Sequence, residues 1–169
     1  MVTLVLIGPP GAGKSTVGAL VAQRLAAPFV DTDQLIEDET GLSISDIFLE
    51  QGEPAFRALE AQAVARGVLG DGVVALGGGA AMHPDTAGLL RDLPVVFLDV
   101  TIRDAAGRVG FDGSRPLLAV NPRAAWTRMM TVRRPTYEAL ATWRVGTGGR
   151  SPDSIADEVV ALLHDDEPR

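Results

Sequence analysis

The sequence predicts an α/β fold in which a parallel β-sheet lies between two layers of helices. Three observations support this prediction: short continuous apolar runs, helical patterns that alternate with them, and a glycine-rich loop directly after the first run. Continuous apolar runs are typical of parallel strands that are buried on both faces. The 169 residues, 46% of them hydrophobic, suffice for one domain with a buried core, which we place at 1–169.

The first predicted unit is a strand at 2–7, a loop at 8–13 and a helix at about 14–26. The later predicted elements are, in chain order, a strand ending in Asp31-Thr32-Asp33, helices at about 33–40, 44–50 and 53–69, a strand at 73–76, a helix at 84–91, a strand at 94–98, a helix from about 102, helices at 122–133 and 135–141, a strand at 143–146 and a helix at about 152–164. We expect Leu69 to point inward, with Phe56, and we expect a helix to stop or kink before Pro135.

The loop after the first strand carries a phosphate-binding motif. Residues 8–16, here called the phosphate loop, read Gly-Pro-Pro-Gly-Ala-Gly-Lys-Ser-Thr and match G-x-x-x-x-G-K-[ST]. The glycines allow backbone N–H groups to surround a phosphate, and the following helix directs its positive end toward the same anion. Lys14 would reach the outer phosphates, and the Ser15 hydroxyl can bind Mg²⁺. Lys14 is also the only lysine, since the other fourteen basic residues are arginine.

Polar or glycine residues follow the next two predicted strands as well. Asp31 and Asp33 come at the end of the second strand, where strand alternation would direct both carboxylates the same way. One could hold Mg²⁺ through water and the other could accept a hydroxyl proton, although Asp33 could instead cap the next helix. The three glycines 77–79 follow the third strand and indicate either a tight turn or close approach to a ligand. Because carboxyl ends of parallel strands share one edge, we expect these groups to converge.

Arginines at particular positions could neutralise an anionic ligand within a chain whose net charge is −7. Arg57 could bind such a ligand or form a surface pair with Glu60, three residues on. The glycine- and proline-rich segment 110–122 predicts a mobile flap, in which Arg115 could close over a transferring phosphoryl group. Neither histidine shows metal-ligand spacing, so we assign the histidines no role.

Composition excludes several classes of protein. The net charge of −7 argues against a nucleic-acid partner, and no run of about 18 apolar residues predicts a membrane span. The N-terminus shows no basic segment with a cleavage site, so we expect no secretion signal. The absence of cysteine excludes disulfides and thiolate chemistry and is compatible with a cytoplasmic location, which we predict.

Taken together, the motifs resemble those of shikimate kinases over essentially the whole chain. The matching segments are the phosphate loop, Asp31-Thr32-Asp33, Phe56-Arg57, Gly77-Gly78-Gly79, Arg115-Pro116-Leu117-Leu118 and Arg133-Arg134-Pro135-Thr136-Tyr137. The resemblance implies a P-loop kinase fold with a substrate-binding helical segment at about 32–60 and a mobile lid at about 109–121. It also implies transfer of the γ-phosphoryl group of ATP to the 3-hydroxyl of shikimate, in the aromatic amino acid pathway, by a monomeric enzyme that uses one Mg²⁺.

The resemblance further implies a role for each matching residue. The catalytic residues would be Lys14, Asp33 and Arg115, and the metal would be held by Ser15 and, through water, by Asp31. The ATP-binding residues would be Gly11, Ala12, Gly13, Lys14, Ser15, Thr16, Arg108, Arg115 and Arg150. The shikimate-binding residues would be Asp33, Arg57, Gly77, Gly78, Gly79 and Arg133, with Arg57 and Arg133 clamping the carboxylate.

The chain departs from the expected patterns in two places. Ala75 stands where many phosphate-loop enzymes have a metal-binding aspartate, and the lid carries Phe111 and Asp112 where small polar residues are expected. The alternatives to a shikimate kinase are another small kinase, acting on gluconate or on a nucleoside monophosphate, and a non-catalytic nucleotide-binding module. A GTPase is excluded because its N-K-x-D motif needs a lysine other than Lys14.

Overall fold

A parallel β-sheet forms the centre of the fold, as predicted. A computed structural model describes residues 2–109 and 121–165, and within them the five strands follow the spatial order β2-β3-β1-β4-β5. The strands are β1 (Val2–Ile7), β2 (Phe29–Asp31), β3 (Gly72–Ala75), β4 (Val95–Asp99) and β5 (Trp143–Gly146). Leu6 of the central strand pairs with Ala75 on one side and with Val96 on the other, and every pairing is parallel.

Helices cover both faces of this sheet. In the described part of the chain they are α1 (Lys14–Arg24), α2 (Thr32–Thr40), α3 (Ile44–Gln51), α4 (Glu53–Gly67), α5 (Pro84–Leu90), α6 (Ile102–Val109), α7 (Pro122–Leu140) and α8 (Pro152–Asp165). Every residue of β3 and β4 is buried. Because side chains alternate between the two faces of a strand, this burial requires a layer on each face. None of the described helices is long and apolar enough to cross a membrane.

The hydrophobic residues form two separate clusters. The larger one joins the sheet to the helices around it and includes Phe97 and Tyr137. The smaller one lies between α2, α3 and α4 and consists of Ile36, Ile47, Phe56 and Ala63, with partly buried side chains packed around them. The helical segment α2–α4 is therefore stabilised by apolar contacts of its own, which also orient the polar residues that it carries.

Two predictions about helices were wrong. Helix α7 continues through Pro135, so the two helices predicted at 122–133 and 135–141 are one helix. Proline removes one helical hydrogen bond, but α7 buries Trp126, Met130 and Tyr137, and this packing outweighs the loss. Helix α4 ends at Gly67, so Leu69 lies beyond it and is 82% exposed instead of buried.

Candidate active site

The phosphate loop runs from the carboxyl end of β1 into the first turn of α1. Gly13 precedes the helix with a φ of 88° and no side-chain cap, so the first backbone N–H groups of α1 are left available to an anion. Gly8 lies so close to β4 that a Cβ there would be 2.6 Å from the carbonyl oxygen of Leu98. The Lys14 ammonium donates to the carbonyl oxygens of Gly8, at 2.7 Å, and Pro9, at 3.0 Å. The loop is thus held against β4 at Gly8 and by the Lys14 side chain at Gly8 and Pro9.

Asp31, not Asp33, caps the helix that follows β2. Its Oδ1 accepts hydrogen bonds from the backbone N–H groups of Asp33, at 2.9 Å, and Gln34, at 3.2 Å. Asp33 lies in the first turn of α2, so the strand-alternation argument for its direction was wrong. The capping role considered for Asp33 was wrong too, because Asp31 fills it. Both carboxylates still reach the same edge of the sheet, since both line the cavities described below.

Ser15 and Asp31 bring two oxygen ligands together. The Ser15 hydroxyl, in the first turn of α1, donates a hydrogen bond to Oδ2 of Asp31. Ala75 ends β3 without a carboxylate, and the described residues hold no cluster of three or more acidic, histidine or cysteine side chains that could bind a metal alone. Mg²⁺ at nucleotide sites is usually held by one or two protein oxygens together with phosphates and water. A hydroxyl and a carboxylate in contact fit that requirement.

The three glycines after β3 admit functional side chains instead of forming an unusual turn. None of them has a positive φ, so another residue could adopt their backbone conformation. A Cβ at Gly77 would lie 2.6 Å from Oδ1 of Asp33, and a Cβ at Gly79 would lie 2.4 Å from Nη1 of Arg57. A Cβ at Gly78 would lie 3.4 Å from Nη1 of Arg133. The absence of side chains at Gly77 and Gly79 therefore makes room for Asp33 and Arg57, while Arg133 lies at ordinary contact distance from Gly78.

Arg57 is paired with a buried carboxylate. Its Nη1 lies 2.8 Å from Oε1 of Glu60, whose side chain is only 3% exposed. Burial raises the pKa of Glu60, while the charge and hydrogen bond of Arg57 act in the opposite direction. The guanidinium carbon also lies 5.9 Å and 5.2 Å from the ring centroids of Phe48 and Phe56. The surface-pair interpretation was wrong, because Glu60 is inside the protein and Arg57 lines a cavity.

Arg133 enters the same region from α7. It lines the cavity that also contains Asp33 and Arg57. One helical turn later on α7, the Tyr137 hydroxyl donates to the carbonyl oxygen of Gly78. Helix α7 thus brings Arg133 to the glycine loop and holds that loop by a second contact.

Two adjoining cavities occupy the carboxyl edge of the sheet. The first, of about 420 Å³, lies against α2, α3 and α4 and is here called the α2–α4 cavity. The second, of about 490 Å³, is lined by Gly11 to Thr16 and is here called the phosphate-loop cavity. Five residues line both cavities: Pro10, Ser15, Asp31, Asp33 and Gly78. A ligand in one cavity would therefore meet a ligand in the other at the hydroxyl and carboxylates of this shared edge.

Arg108 and Arg150 both line the phosphate-loop cavity. Arg108 donates to the carbonyl oxygens of Gly11, at 3.0 Å, and Ala12, at 3.2 Å, which braces the phosphate loop. Arg150 lies at the far side, where its guanidinium is 2.5 Å from a carboxylate oxygen of Glu158. Arg115, with Phe111, Asp112 and nearly all of the predicted lid, lies outside the described residues.

An ion cluster at the end of β4 was not predicted. Asp99 accepts two hydrogen bonds from Arg134, at 2.9 and 3.0 Å, and a third from Arg144, at 2.8 Å. Burial alone would raise the pKa of Asp99, but these two arginines outweigh burial and hold the pKa below its ordinary value. Both arginines are far from Asp99 in the sequence, so no local pattern could have revealed the contact.

Glu60 was also missed as a site residue, although the sequence held a signal for it. It falls on the same helical face as Phe56, Ala63 and Val64, which are all buried. A carboxylate on an apolar helical face needs a partner, and Arg57 three residues earlier could have been identified as that partner inside the protein.

Fold and site together define a small phosphate-loop kinase, in which the phosphate-loop cavity adjoins the α2–α4 cavity. A family model described as shikimate kinase matches residues 10–164. A shikimate kinase of Streptomyces avermitilis is 48% identical over 161 residues, covering 95% of this chain and 94% of its own length. One from Salinispora arenicola is 50% identical over 160 residues, with coverages of 94% and 96%. The chain belongs to the shikimate kinase family.

Solved structures agree with this assignment. A shikimate kinase from Acinetobacter baumannii, determined in complex with shikimate, is 31% identical and has a TM-score of 0.94. The alignment covers 98% of this chain and 94% of that one. The structure of a shikimate kinase from Aquifex aeolicus, 28% identical, gives a TM-score of 0.79.

Proposed function

We propose that this protein is a shikimate kinase, which transfers the γ-phosphoryl group of ATP to the 3-hydroxyl of shikimate and releases shikimate 3-phosphate and ADP. The observation that carries the proposal is the shared edge of the two cavities, where Ser15, Asp31 and Asp33 line both. A phosphate held by the phosphate loop and a hydroxyl held in the α2–α4 cavity would meet at that edge. The product would enter aromatic amino acid biosynthesis, the pathway that shikimate kinases serve.

The α2–α4 cavity suits a small hydroxylated carboxylic acid. Arg57 and Arg133 both line it and would bind the carboxylate of shikimate, a task for which the planar guanidinium is well shaped. Asp33 lies at the shared edge and would bind ring hydroxyls and accept the proton of the attacking one. Glu60 holds Arg57 in the cavity by its hydrogen bond. The backbone of the glycine loop 77–79 would complete the contacts with the acceptor.

The phosphate-loop cavity suits the triphosphate of ATP. Backbone N–H groups from Gly11 to Thr16 would surround the phosphates, and Lys14 would reach the group that is transferred. Arg150 would lie against the adenine, and Arg108, which already braces the phosphate loop, would lie near the phosphates. Arg115 would approach the transferring group, a role that rests on the family resemblance alone.

We also propose that Ser15 binds one Mg²⁺ directly and that Asp31 holds it through water. Mg²⁺ held by these two residues would supply positive charge beside the phosphates of the nucleotide. The chain itself would hold donor and acceptor in line and keep the acceptor hydroxyl against Asp33. Lys14 and Arg115 would balance the charge that develops on the phosphoryl oxygens.

An ADP-release assay with ATP and Mg²⁺, run separately with shikimate, gluconate and AMP, tests the proposal. We expect release that depends on shikimate alone. Release driven by gluconate or AMP would assign a different acceptor, and no release with any of the three would indicate a non-catalytic nucleotide-binding module.

A monomeric state and a cytoplasmic location also belong to this proposal. Size-exclusion chromatography with light scattering should give the mass of one chain, 17.7 kDa. Cell fractionation should recover the protein with cytoplasmic markers.

A further inference from the structure

Tyr137 is a buried polar residue to which the proposed reaction assigns no task. It is the only tyrosine of the chain and is 0% exposed. It belongs to the segment Arg133 to Tyr137, in which only Arg133 has been given a function. A buried hydroxyl is costly unless it makes a hydrogen bond, so the partners of this one indicate what it does.

The Tyr137 hydroxyl contacts two parts of the acceptor site. It donates to the carbonyl oxygen of Gly78, a residue at the shared edge of the two cavities. Arg133 lies one helical turn earlier on α7, and its Nη1 would be 3.4 Å from a Cβ at Gly78. Burial raises the pKa of Tyr137, while the charge and hydrogen bond of Arg133 act in the opposite direction.

The position of the hydroxyl is fixed by the ring that carries it. The ring of Tyr137 stacks on that of Phe97 in β4, with the centroids 5.1 Å apart and an interplanar angle of 26°. Phe97 is itself 0% exposed. The sheet therefore sets the place at which the hydroxyl meets Gly78 and Arg133.

We propose that Tyr137 is a positioning residue for the acceptor, whose hydroxyl holds the Gly78 peptide and the Arg133 guanidinium in the arrangement that binds the substrate carboxylate. This inference depends on the proposed function. Tyr137 itself does not line either cavity, so it acts only through Gly78 and Arg133. An interaction of this kind is present in both the bound ground state and the transition state, so its loss raises KM and leaves kcat nearly unchanged.

Replacement of Tyr137 by phenylalanine tests this inference because it removes only the hydroxyl. We expect Tyr137→Phe to raise the KM for shikimate about five- to tenfold, which corresponds to one lost hydrogen bond. The kcat and the KM for ATP should stay within about twofold of their original values.

Thr142→Val is a matched control. The Thr142 hydroxyl accepts a hydrogen bond of 3.1 Å from the backbone N–H of Val95, and Thr142 lines neither cavity. Its removal should lower the thermal midpoint without changing the KM for shikimate. An unchanged KM for shikimate in a folded Tyr137→Phe protein would overturn the inference. A wild-type protein without shikimate-dependent activity would instead overturn the proposed function.

A second measurement avoids any substitution that could disturb folding. Because the chain has a single tyrosine, growth on 3-fluorotyrosine places one fluorine beside this hydroxyl. We expect shikimate to shift the single ¹⁹F resonance of the labelled, active enzyme by more than its linewidth, and gluconate to leave it in place. A resonance that does not move at saturating shikimate would contradict contact between Tyr137 and the acceptor site.

Discussion

The Ser15 hydroxyl donates a hydrogen bond to the Asp31 carboxylate and thereby joins the first turn of α1 to the end of β2. The same carboxylate caps α2 through its other oxygen, which accepts from the N–H groups of Asp33 and Gln34. One aspartate thus connects the phosphate loop to the helix that carries Asp33. A displacement of the phosphate loop would therefore be transmitted to α2 through this side chain.

Removal of the Ser15 hydroxyl should weaken the use of Mg²⁺. We expect Ser15→Ala to raise the Mg²⁺ concentration for half-maximal rate about tenfold or more, since a proposed direct ligand is lost. Asp31→Asn should have a smaller effect, and it should leave the fold intact because asparagine also caps helices well. Magnesium titrations of the initial rate measure both effects, and equal requirements in Ser15→Ala and wild type would exclude Ser15 as a ligand.

Asp33→Asn should abolish most turnover and preserve ATP affinity. An amide cannot accept the hydroxyl proton at neutral pH, so we expect kcat to fall about 10²- to 10⁴-fold. Asp38→Asn is the control, because Asp38 lies on the same helix, is exposed and lines neither cavity. Steady-state kinetics and nucleotide titration give both quantities. Undiminished turnover in Asp33→Asn would remove Asp33 as proton acceptor.

Arg133→Ala should affect one substrate far more than the other. We expect the KM for shikimate to rise about 10- to 100-fold, as for the loss of a charged hydrogen bond, with little change in the KM for ATP. Arg128→Ala, an exposed arginine on the same helix, should change neither constant. Initial-rate kinetics with each substrate varied in turn make the comparison. Equal increases for both substrates would place Arg133 outside the carboxylate site.

A methyl group at Gly79 should disturb Arg57. A Cβ there would lie 2.4 Å from Nη1 of Arg57, so we expect Gly79→Ala to raise the KM for shikimate about tenfold or more while the protein still folds. Gly88→Ala is the matched control, since nothing lies within 4 Å of its Cβ position in α5. That control should raise stability by about 0.5–1 kcal/mol, as alanine favours helices. An unchanged KM for shikimate in the Gly79→Ala enzyme would show that Arg57 can move without loss of substrate binding.

The Asp99 cluster should contribute stability that depends on pH. The pKa of Asp99 is lower in the folded protein than in the unfolded chain. Its contribution to the free energy of unfolding is therefore complete above the unfolded-state pKa near 3.8 and is lost as the pH falls through the folded-state pKa. We expect Asp99→Asn to destabilise by about 2 kcal/mol at pH 7 and by progressively less below pH 4.

Urea unfolding at a series of pH values measures this difference. Asp153→Asn, which removes one of the two exposed carboxylate partners of Arg24, should cost less than about 1 kcal/mol at any pH. If the difference in unfolding free energy between Asp99→Asn and wild type grew at lower pH, the stabilising role of the ionised Asp99 would be contradicted.

The order of strands and helices and the phosphate loop could be predicted because their signals are local. Apolar runs, helical periodicity and the motif at residues 8–16 each lie within a short stretch of sequence. The uninterrupted α7 could not be predicted, because burial of its apolar face overrides the local effect of Pro135. Secondary-structure signals were thus sufficient wherever tertiary packing agreed with them.

The residues of the site could be predicted from the sequence better than their arrangement in space. The glycines 77–79 were identified as unusual, but the reason at Gly77 and Gly79 is the close approach of Asp33 and Arg57 from two separate helices. The cap of α2 was considered for Asp33 but lies at Asp31, because either residue could have begun that helix. Contacts such as Asp99 with Arg134 and Arg144 join distant segments, and no local pattern encodes them.

The separate hydrophobic cluster of α2, α3 and α4 has a consequence for how such an enzyme could be altered. Ile36, Ile47, Phe56 and Ala63 pack among themselves, apart from the residues beneath the phosphate loop. The apolar contacts among α2, α3 and the facing side of α4 could therefore be repacked as a unit, provided that Val64 of α4 keeps its place in the larger cluster. Grafting a different acceptor-binding segment between β2 and β3 would be a rational route to kinases for other small hydroxy acids.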